Sequence, residues 1–315
     1  IYIYYTGRDF LKKRHANIML TDNCNLNCSF CYATDSEVSH QSIPFAHCKN
    51  ILLSLKIQGC NSISFTGGEP LLYQYSKEIF YTAKHLGFHT TLYTNGTIID
   101  ENLLDSNVID SFIISVDGPS AIHDILRKRR GSYKSTIQNI NKIIKKNIPL
   151  TLATTVSSQN FETLDELSVL IKKIKPNFWR INSCLPIGKA LNNILFANAN
   201  NIYKKIVTYS LDKDLPLIIT DLHSVKSLKI DYQKQIDNFF SSIWISPDTS
   251  ISLYPRSLGA KTICLTLENL TLLDYLYKEI SQDFDSYLKQ TEEKIINPYF
   301  ILEKLFIERT SHLDA

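Results

Sequence analysis

The sequence predicts an α/β fold built on a parallel β-sheet, followed by a smaller α+β unit. Short apolar, β-branched segments alternate with longer amphipathic segments about six times over residues 17–190. The 315 residues, 44% of them hydrophobic, suffice for one large core and an appendage. Only ten glycines and ten prolines occur, so long flexible linkers are not expected and most of the chain should be regular structure.

Six segments are predicted as strands because they are short, β-branched and followed by turn residues. They are Asn17 to Leu20, Ser62 to Phe65, Thr90 to Tyr93, Ser111 to Val116, Leu150 to Val156 and Phe178 to Asn182. Alternating strands and helices imply parallel pairing through right-handed crossovers, in either an open doubly wound sheet or a partial barrel. In both architectures ligands bind at the carboxyl ends of the strands.

Amphipathic segments between these strands are predicted as helices. The first runs from Pro44 to Ile57, with apolar residues every three or four positions and Gly59 just beyond its end. The others are Tyr75 to Leu86, Ile98 to Leu104, Thr136 to Ile144 and Phe161 to Ile171.

The rhythm changes after Asn182, and a boundary is predicted near residue 190. Residues 1–190 would form the core and residues 191–315 the smaller unit. The predicted elements of the smaller unit are a helix from Asn198 to Leu211, a strand from Leu215 to Thr220, a hairpin from Ser242 to Tyr254 turning at 247–249, and helices from Leu270 to Leu288 and from Pro298 to Ile307.

Charge and hydropathy argue against several classes of partner. The net charge of +3 is too small to indicate nucleic acid or an anionic membrane. No apolar run approaches the roughly 18 residues of a membrane span, and residues 1–10 lack the layout of a secretory signal. A cytoplasmic location is therefore expected. The seven cysteines, an odd number, do not suggest a disulfide framework.

Three cysteines form the main chemical motif. Cys24, Cys28 and Cys31 are spaced C-x3-C-x2-C directly after the first predicted strand. Three thiolates on one loop can hold three irons of a 4Fe–4S cluster and leave the fourth iron open to a substrate or cofactor. The alternatives are three unrelated buried thiols, or a zinc site completed by a distant histidine. Zinc is disfavoured because His40 and His47 lie outside the common ligand spacing.

These residues resemble the signature of the radical S-adenosylmethionine (SAM) superfamily, C-x3-C-x-aromatic-C, in which Phe30 supplies the aromatic residue. The resemblance implies a partial (β/α)6, TIM-like barrel in which the three cysteines bind one 4Fe–4S cluster. It also implies that SAM binds the open iron, with Phe30 and Tyr32 beside the cofactor.

A second motif follows the second predicted strand. Gly67, Gly68, Glu69 and Pro70 resemble the Gly-Gly-Glu-Pro motif of this family, which implies binding of the methionyl amino group. Glycine permits close approach of the backbone, and a carboxylate suits an ammonium group. The alternative for the two glycines is an ordinary turn.

Residues after the third and fourth strands resemble the subset of the family that modifies peptides and related substrates. Asn95 follows the third strand, Ser115 lies near the end of the fourth, and Asp117 comes directly after the fourth. The resemblance implies that all three contact the cofactor, with Ser115 at the ribose. It further implies a salt link from Arg127 to the SAM carboxylate. Lys128 and Arg129 are interpreted as a solvated basic face.

Cys184 shares one face of the sixth strand with Arg180 and Asn182, since alternate residues of a strand point the same way. A thiol there could donate a hydrogen atom to a substrate radical. The alternative, a buried structural thiol, is favoured. Undiminished product formation by a Cys184→Ala variant would remove this residue as a donor.

The resemblance weakens towards the carboxyl end. Many relatives carry an extension, of SPASM or twitch type, whose opening hairpin ends in Tyr-Pro-Cys and whose cysteines bind further clusters. Here Arg256 follows Tyr254 and Pro255, and Cys264 is the only later cysteine. We therefore expect an extension without a cluster of its own. Redox-neutral chemistry, such as epimerisation or rearrangement, is favoured over cross-linking.

The resemblance implies reductive cleavage of SAM to a 5′-deoxyadenosyl radical that abstracts a substrate hydrogen. A ribosomal peptide is the expected substrate, and a small molecule such as a sugar, nucleoside or amino acid is the alternative. An electron donor such as flavodoxin or ferredoxin is implied as a partner. A zinc-binding module without enzymatic activity is the remote alternative.

Overall fold

The computed structural model describes residues 14–31, 41–57, 59–184, 189–190, 199–219, 242–245, 247, 250–252 and 263–264. Within them the strands are β1 (Arg14–Met19), β2 (Cys60–Thr66), β3 (His89–Thr94), β4 (Ser111–Ser115), β5 (Leu150–Val156), β6 (Phe178–Ser183), β7 (Leu217–Ile219), β8 (Ser242–Ile245), β9 (Ser250–Ser252) and β10 (Ile263–Cys264). The α-helices are α1 (Phe45–Ile57), α2 (Ser76–His85), α3 (Glu101–Asp105), α4 (Ser120–Leu126), α5 (Ser132–Lys145), α6 (Leu164–Ile174) and α7 (Ala199–Ser210).

The strands of the described residues form a single sheet in the order β10-β9-β8-β1-β2-β3-β4-β5-β6-β7. Every neighbouring pair from β1 to β7 is parallel. Each of these strands lies beside the next one in the sequence, so the direction of winding never reverses. A doubly wound sheet requires such a reversal, whereas a (β/α) barrel does not. The structure therefore confirms the partial barrel.

A contact between distant strands indicates that the sheet is curled. The Arg180 guanidinium on β6 donates from Nη1 to the Tyr93 hydroxyl on β3 at 2.9 Å. In a flat sheet these strands would be three spacings apart, about 14 Å. The curl brings their side chains together, so the face that carries Arg180 and Tyr93 is the concave one.

The two faces of the sheet differ in polarity. Residues of the convex face, such as Ile18, Phe65 and Leu92, are completely buried in the main hydrophobic core. The alternate residues are mostly polar, and among them His15 bonds to the hydroxyl groups of Ser62 at 2.8 Å and Ser64 at 3.0 Å. Burial lowers the pKa of His15 to about 4, so its ring is neutral. The concave face is therefore suited to polar ligands.

The predicted strands of the core are all present, with ends within three residues of those expected. The third helix begins at Glu101, three residues later than expected, because the Asp100 carboxylate caps it by accepting from the Leu103 backbone N–H at 2.7 Å. Helix α4 was not predicted, since its seven residues are too few to show a periodic pattern.

The described strands beyond residue 190 extend the same sheet. Strand β7 pairs with β6, and β8 pairs in parallel with β1. The predicted hairpin is confirmed by the antiparallel pairing of β8 with β9. The predicted helices from Leu270 to Leu288 and from Pro298 to Ile307 lie outside the described residues, and the domain boundary near residue 190 stays a prediction. Within the described part of the chain, no helix combines the length and hydropathy that crossing a membrane would require.

Candidate cofactor site

The loop after β1 carries Cys24, Cys28 and Cys31, and it is bonded to the loop after β2. The Gly68 backbone N–H donates to the Thr21 carbonyl oxygen, and the Glu69 N–H donates to the Asn23 carbonyl oxygen, both at 2.7 Å. The cysteine loop and the Gly-Gly-Glu-Pro loop therefore form one unit at the carboxyl end of the sheet.

The two glycines are required for this approach. A Cβ at Gly68 would overlap the carbonyl oxygens of Asp22 and Asn23, and one at Gly67 would overlap the Thr21 carbonyl oxygen. Gly67 also has a φ of +140°, which disfavours any other residue. The glycines thus hold the cysteine loop in place. The alternative of an ordinary turn does not explain this contact.

The Glu69 carboxylate connects the ends of β2 and β3. It is completely buried and accepts from the Thr94 hydroxyl at 2.8 Å, the Asn95 backbone N–H at 2.9 Å and the Leu71 N–H at 3.2 Å. Burial raises its pKa to about 7 against these hydrogen bonds. Glu69 therefore organises the strand ends; its contact with the methionyl amino group stays a prediction.

Asn95 lies between the end of β3 and the cysteine loop. Its side-chain amide donates to the Asn25 side-chain oxygen at 2.8 Å and lies 4.0 Å from the Cys24 sulfur. Asn25 in turn donates to the Thr97 hydroxyl at 2.9 Å. The predicted cofactor residue Asn95 is thus placed beside a predicted cluster ligand.

A buried ion pair lies next to the second cysteine. Arg127 donates from Nε to the Asp117 carboxylate at 2.6 Å, and its Nη2 is 2.5 Å from the same oxygen. Its Nη1 is 3.5 Å from the Cys28 sulfur. Its guanidinium carbon lies 5.2 Å from the centre of the Phe30 ring. Four residues predicted from the sequence therefore meet at one point.

The chain surrounding Asp117 holds this carboxylate in place. Its second oxygen accepts from the Thr155 N–H at 2.9 Å, and its own carbonyl oxygen accepts from Asn160 at 2.6 Å. Ser115, the last residue of β4, is partly exposed. Asp117 thus serves as the anchor of Arg127, while the ribose contact of Ser115 stays a prediction.

Helix α4 also supports the cysteine loop. The Leu126 carbonyl oxygen, in the last turn of this helix, accepts from the Ser29 N–H at 2.9 Å and from its hydroxyl at 3.2 Å. Because Arg127 follows directly, one helix end fixes both the loop and the guanidinium beside it.

The three thiols are near enough to influence one another. Burial, together with the nearby charges of Glu69, Cys28 and Cys31, raises the pKa of Cys24 to about 11. Burial also raises the pKa of Cys28, whereas the Arg127 cation acts in the opposite direction. Metal binding would have to displace these protons, because thiolates are the ligands. The guanidinium favours that change at Cys28.

No three His, Cys, Asp or Glu side chains in the described residues are arranged to hold a single metal ion. A 4Fe–4S cluster does not require that arrangement, because each of its cysteines ligates a different iron. The donor set of three neighbouring thiols therefore fits a cluster.

Cys184 lies just beyond β6, near the same loop. It is 8% exposed and packs with Ala190 and Phe30. Burial raises the pKa of its thiol to about 12. These contacts fit a packing role, and hydrogen-atom donation by this thiol stays a hypothesis. Tyr32, the remaining predicted cofactor residue, lies outside the described residues.

Sequence reasoning missed several supporting residues. Asn25, Thr94 and Thr155 bond to Asn95, Glu69 and Asp117, respectively. Each lies in or next to a recognised motif, but a polar residue near a strand end has many possible partners. Only the tertiary arrangement identifies which one it meets.

Comparison with known proteins identifies the class of this site. Residues 18–171 match the family model described as the Radical SAM superfamily. This segment of the chain is a radical SAM domain. Members of that family use SAM and an iron–sulfur cluster.

Two curated relatives have similar levels of identity. An S-adenosylmethionine-dependent nucleotide dehydratase of Lacinutrix mariniflava is 30% identical over 184 residues, which cover 54% of this chain and 38% of the relative. The sporulation killing factor maturation protein SkfB of Bacillus subtilis is 30% identical over 176 residues, which cover 55% of this chain and 43% of that protein. The matched region is therefore less than half of each relative.

Solved structures support the fold. Streptococcus suis SuiB bound to S-adenosylmethionine superposes with a TM-score of 0.68 at 17% identity, over 85% of this chain and 66% of that one. The shared architecture extends beyond the segment matched by the family model.

Proposed function

We propose that this protein is a radical SAM enzyme that modifies a ribosomally made peptide. The observation that carries the chemistry is the unit formed by the cysteine loop, the Gly-Gly-Glu-Pro loop and Arg127 at the carboxyl ends of the strands. In this proposal Cys24, Cys28 and Cys31 hold a single 4Fe–4S cluster. When bound, the cluster and SAM supply a 5′-deoxyadenosyl radical that abstracts a substrate hydrogen.

The protein's own residues position the reactants. The proposed SAM contacts are Phe30, Tyr32, Gly67, Gly68, Glu69, Asn95, Ser115, Asp117 and Arg127. Asp117 orients the Arg127 guanidinium, and Glu69 orders the backbone of Asn95. The curled sheet surrounds the substrate and excludes water, which favours hydrogen transfer at one chosen C–H bond.

SkfB, a maturation protein, supports a peptide as the substrate. A small-molecule substrate is the second candidate, because a nucleotide dehydratase is equally similar to this chain. Mass-shift screening with a peptide encoded beside this chain's gene separates the two. A modification of the peptide that depends on SAM supports the first candidate, and modification of a nucleotide instead supports the second.

The test of the chemistry is release of 5′-deoxyadenosine by anaerobically reconstituted, reduced protein. We expect release by the wild type and none by Cys28→Ala. Cys48→Ala is the matched control, because Cys48 is a buried thiol of α1 in the hydrophobic core, remote from the loop in sequence. No release from iron-loaded wild type, with or without candidate substrates, would contradict the proposal. Zinc in place of iron would indicate the binding-module alternative.

A further inference from the structure

The concave face of the barrel contains a cation without an acidic partner. Arg180 is the only lysine or arginine in β2 to β6, and β1 to β6 contain no aspartate or glutamate. No carboxylate of the described residues forms an ion pair with Arg180. Its Nε atom is buried and has no hydrogen-bond partner.

Two buried acidic groups at the carboxyl end of the sheet are already engaged. Asp117 binds Arg127 and the Thr155 N–H, and Glu69 accepts three hydrogen bonds from its own surroundings. Neither carboxylate therefore balances the charge of Arg180. The buried Nε donor without a partner costs stability, and the partly exposed Arg180 cation has no acidic partner among the described residues.

Tyr93 fixes the orientation of the guanidinium. Its hydroxyl accepts from Nη1 at 2.9 Å, and its ring centre lies 5.7 Å from the guanidinium carbon. This hydrogen bond occupies the Nη1 end of the Arg180 guanidinium. The opposite edge, formed by Nε and Nη2, is the edge that can donate two parallel hydrogen bonds to a carboxylate.

The position of Arg180 along the barrel axis places it near the proposed cofactor. Through Ala153 of β5, Arg180 is in register with Ser115, the proposed ribose contact. A group bound by Arg180 would therefore lie beside the reacting part of the cofactor. His15 on the same face adds no second cation, because burial lowers its pKa to about 4.

We propose that Arg180 binds a carboxylate of the substrate inside the partial barrel, with Tyr93 holding the guanidinium in position. This inference rests on the proposed function, since it takes the barrel interior as the substrate chamber. A single fixed cation matches a singly charged carboxylate, such as an acidic side chain or the carboxyl terminus of a peptide. A polyphosphate would leave several negative charges unbalanced on the described part of this face.

The test is a binding measurement that does not depend on turnover. Thermal unfolding of the reconstituted protein is followed anaerobically by circular dichroism, with saturating SAM and constant ionic strength. The probes are propionate at about 50 mM, its neutral analogue propionamide, and inorganic phosphate. We expect propionate to raise the wild-type midpoint by about 2 °C more than propionamide does, because a ligand stabilises the folded state that binds it.

Variants assign the effect to Arg180. Arg180→Gln should abolish the difference between propionate and propionamide, and Arg130→Gln should preserve it, because Arg130 is an exposed arginine outside the strands. Arg180→Lys retains the charge but loses the fork of donors, so its affinity for propionate should fall about tenfold. If Arg180→Gln does not fold, the test uses Arg180→Lys and Tyr93→Phe. The second variant lacks the hydroxyl that positions the guanidinium. Both should bind propionate more weakly than the wild type and show a smaller difference between propionate and propionamide.

Three results would overturn the proposal. They are no difference between propionate and propionamide in the wild type, an equal difference in the Arg180 variants, and a larger shift with phosphate than with propionate. The last result would indicate a phosphorylated substrate. A propionate site in a protein that releases no 5′-deoxyadenosine would contradict the proposed function and leave the anion site standing, so the two failures are distinguishable.

Discussion

At the scale of single residues, the site depends on a buried charge pair. Asp117 is completely buried and Arg127 is 8% exposed. Burying these charges is unfavourable unless each is paired, and the pair lies in direct contact with Cys28. Removing one partner therefore leaves an uncompensated charge beside a proposed cluster ligand.

We predict that Asp117→Asn lowers the free energy of unfolding by about 3 kcal/mol. Chemical denaturation of the cluster-free protein measures it. The matched control is Glu101→Gln, since Glu101 pairs with Lys142 at 3.5 Å on the surface and its side chain is 70% exposed. That change should cost less than about 1 kcal/mol. Equal losses in the free energy of unfolding for the two substitutions would show that the buried pair stabilises the fold no more than the surface pair does.

At the scale of elements, the contact between the loops after β1 and β2 determines the cysteine geometry. Here the backbones approach so closely that side chains cannot be accommodated at Gly67 and Gly68. A second contact, at Asp110, joins β3, β4 and α2. The Asp110 carboxylate accepts from the Thr90 N–H at 2.8 Å and pairs with Lys84.

Gly68→Ala should displace the cysteine loop and reduce iron after anaerobic reconstitution by at least about half, because three thiolates must be placed together to hold a cluster. Iron analysis per folded chain measures this. Gly131→Ala is the control: Gly131 has a φ of +81°, but a Cβ added there would meet no atom within 4 Å, so the change introduces backbone strain without a clash. Normal iron content in Gly68→Ala would refute the role assigned to this contact.

The hydrogen bonds of the Asp110 carboxylate lead us to predict a pH dependence of stability. Burial acts to raise its pKa, but the hydrogen bonds from Lys84 and Thr90 prevail and lower it below the ordinary value of 3.8. Its contribution, about 1 to 2 kcal/mol, is therefore complete above the unfolded-state pKa and is lost as the pH falls through the lower folded-state pKa.

Denaturant unfolding of cluster-free protein between about pH 3 and pH 6 tests this. Asp110→Asn should be less stable than the wild type at the upper end of this range, and the difference should shrink below about pH 4. A difference that stays constant over this range would exclude the titration of Asp110 as its cause.

At the scale of the whole molecule, the number of clusters follows from the cysteines that the sequence places together. Only Cys24, Cys28 and Cys31 share a loop, while Cys48 and Cys60 are buried in the hydrophobic core. We therefore predict about four irons per chain after reconstitution, the content of one cubane. Cys264→Ala should leave the iron content unchanged, and about eight irons per chain would contradict a single cluster.

Much of the fold and site was predictable because it is encoded locally. The strands of the core follow from short β-branched segments, and the cysteine loop follows from spacing alone. Helix α4 escaped prediction because a helix of seven residues has too little periodicity. The hydrogen-bond partners of Asn25, Thr94 and Thr155 were not predicted, because each of these bonds joins residues that are far apart in the sequence.

The sequence by itself determined the class of fold, the three cysteines and the glycine-rich loop, because each depends on residue type and short-range spacing. The periodicity of the sequence left both a doubly wound sheet and a partial barrel open, and the family resemblance implied the barrel. The strand order that establishes it is seen only in the tertiary structure, because strand order is a long-range property. The tertiary structure alone also brought Arg127 to Asp117 and Cys28, and left Arg180 without an acidic partner among the described residues. Charge balance in a buried site depends on which side chains the curled sheet brings together, and spacing along the chain does not specify that.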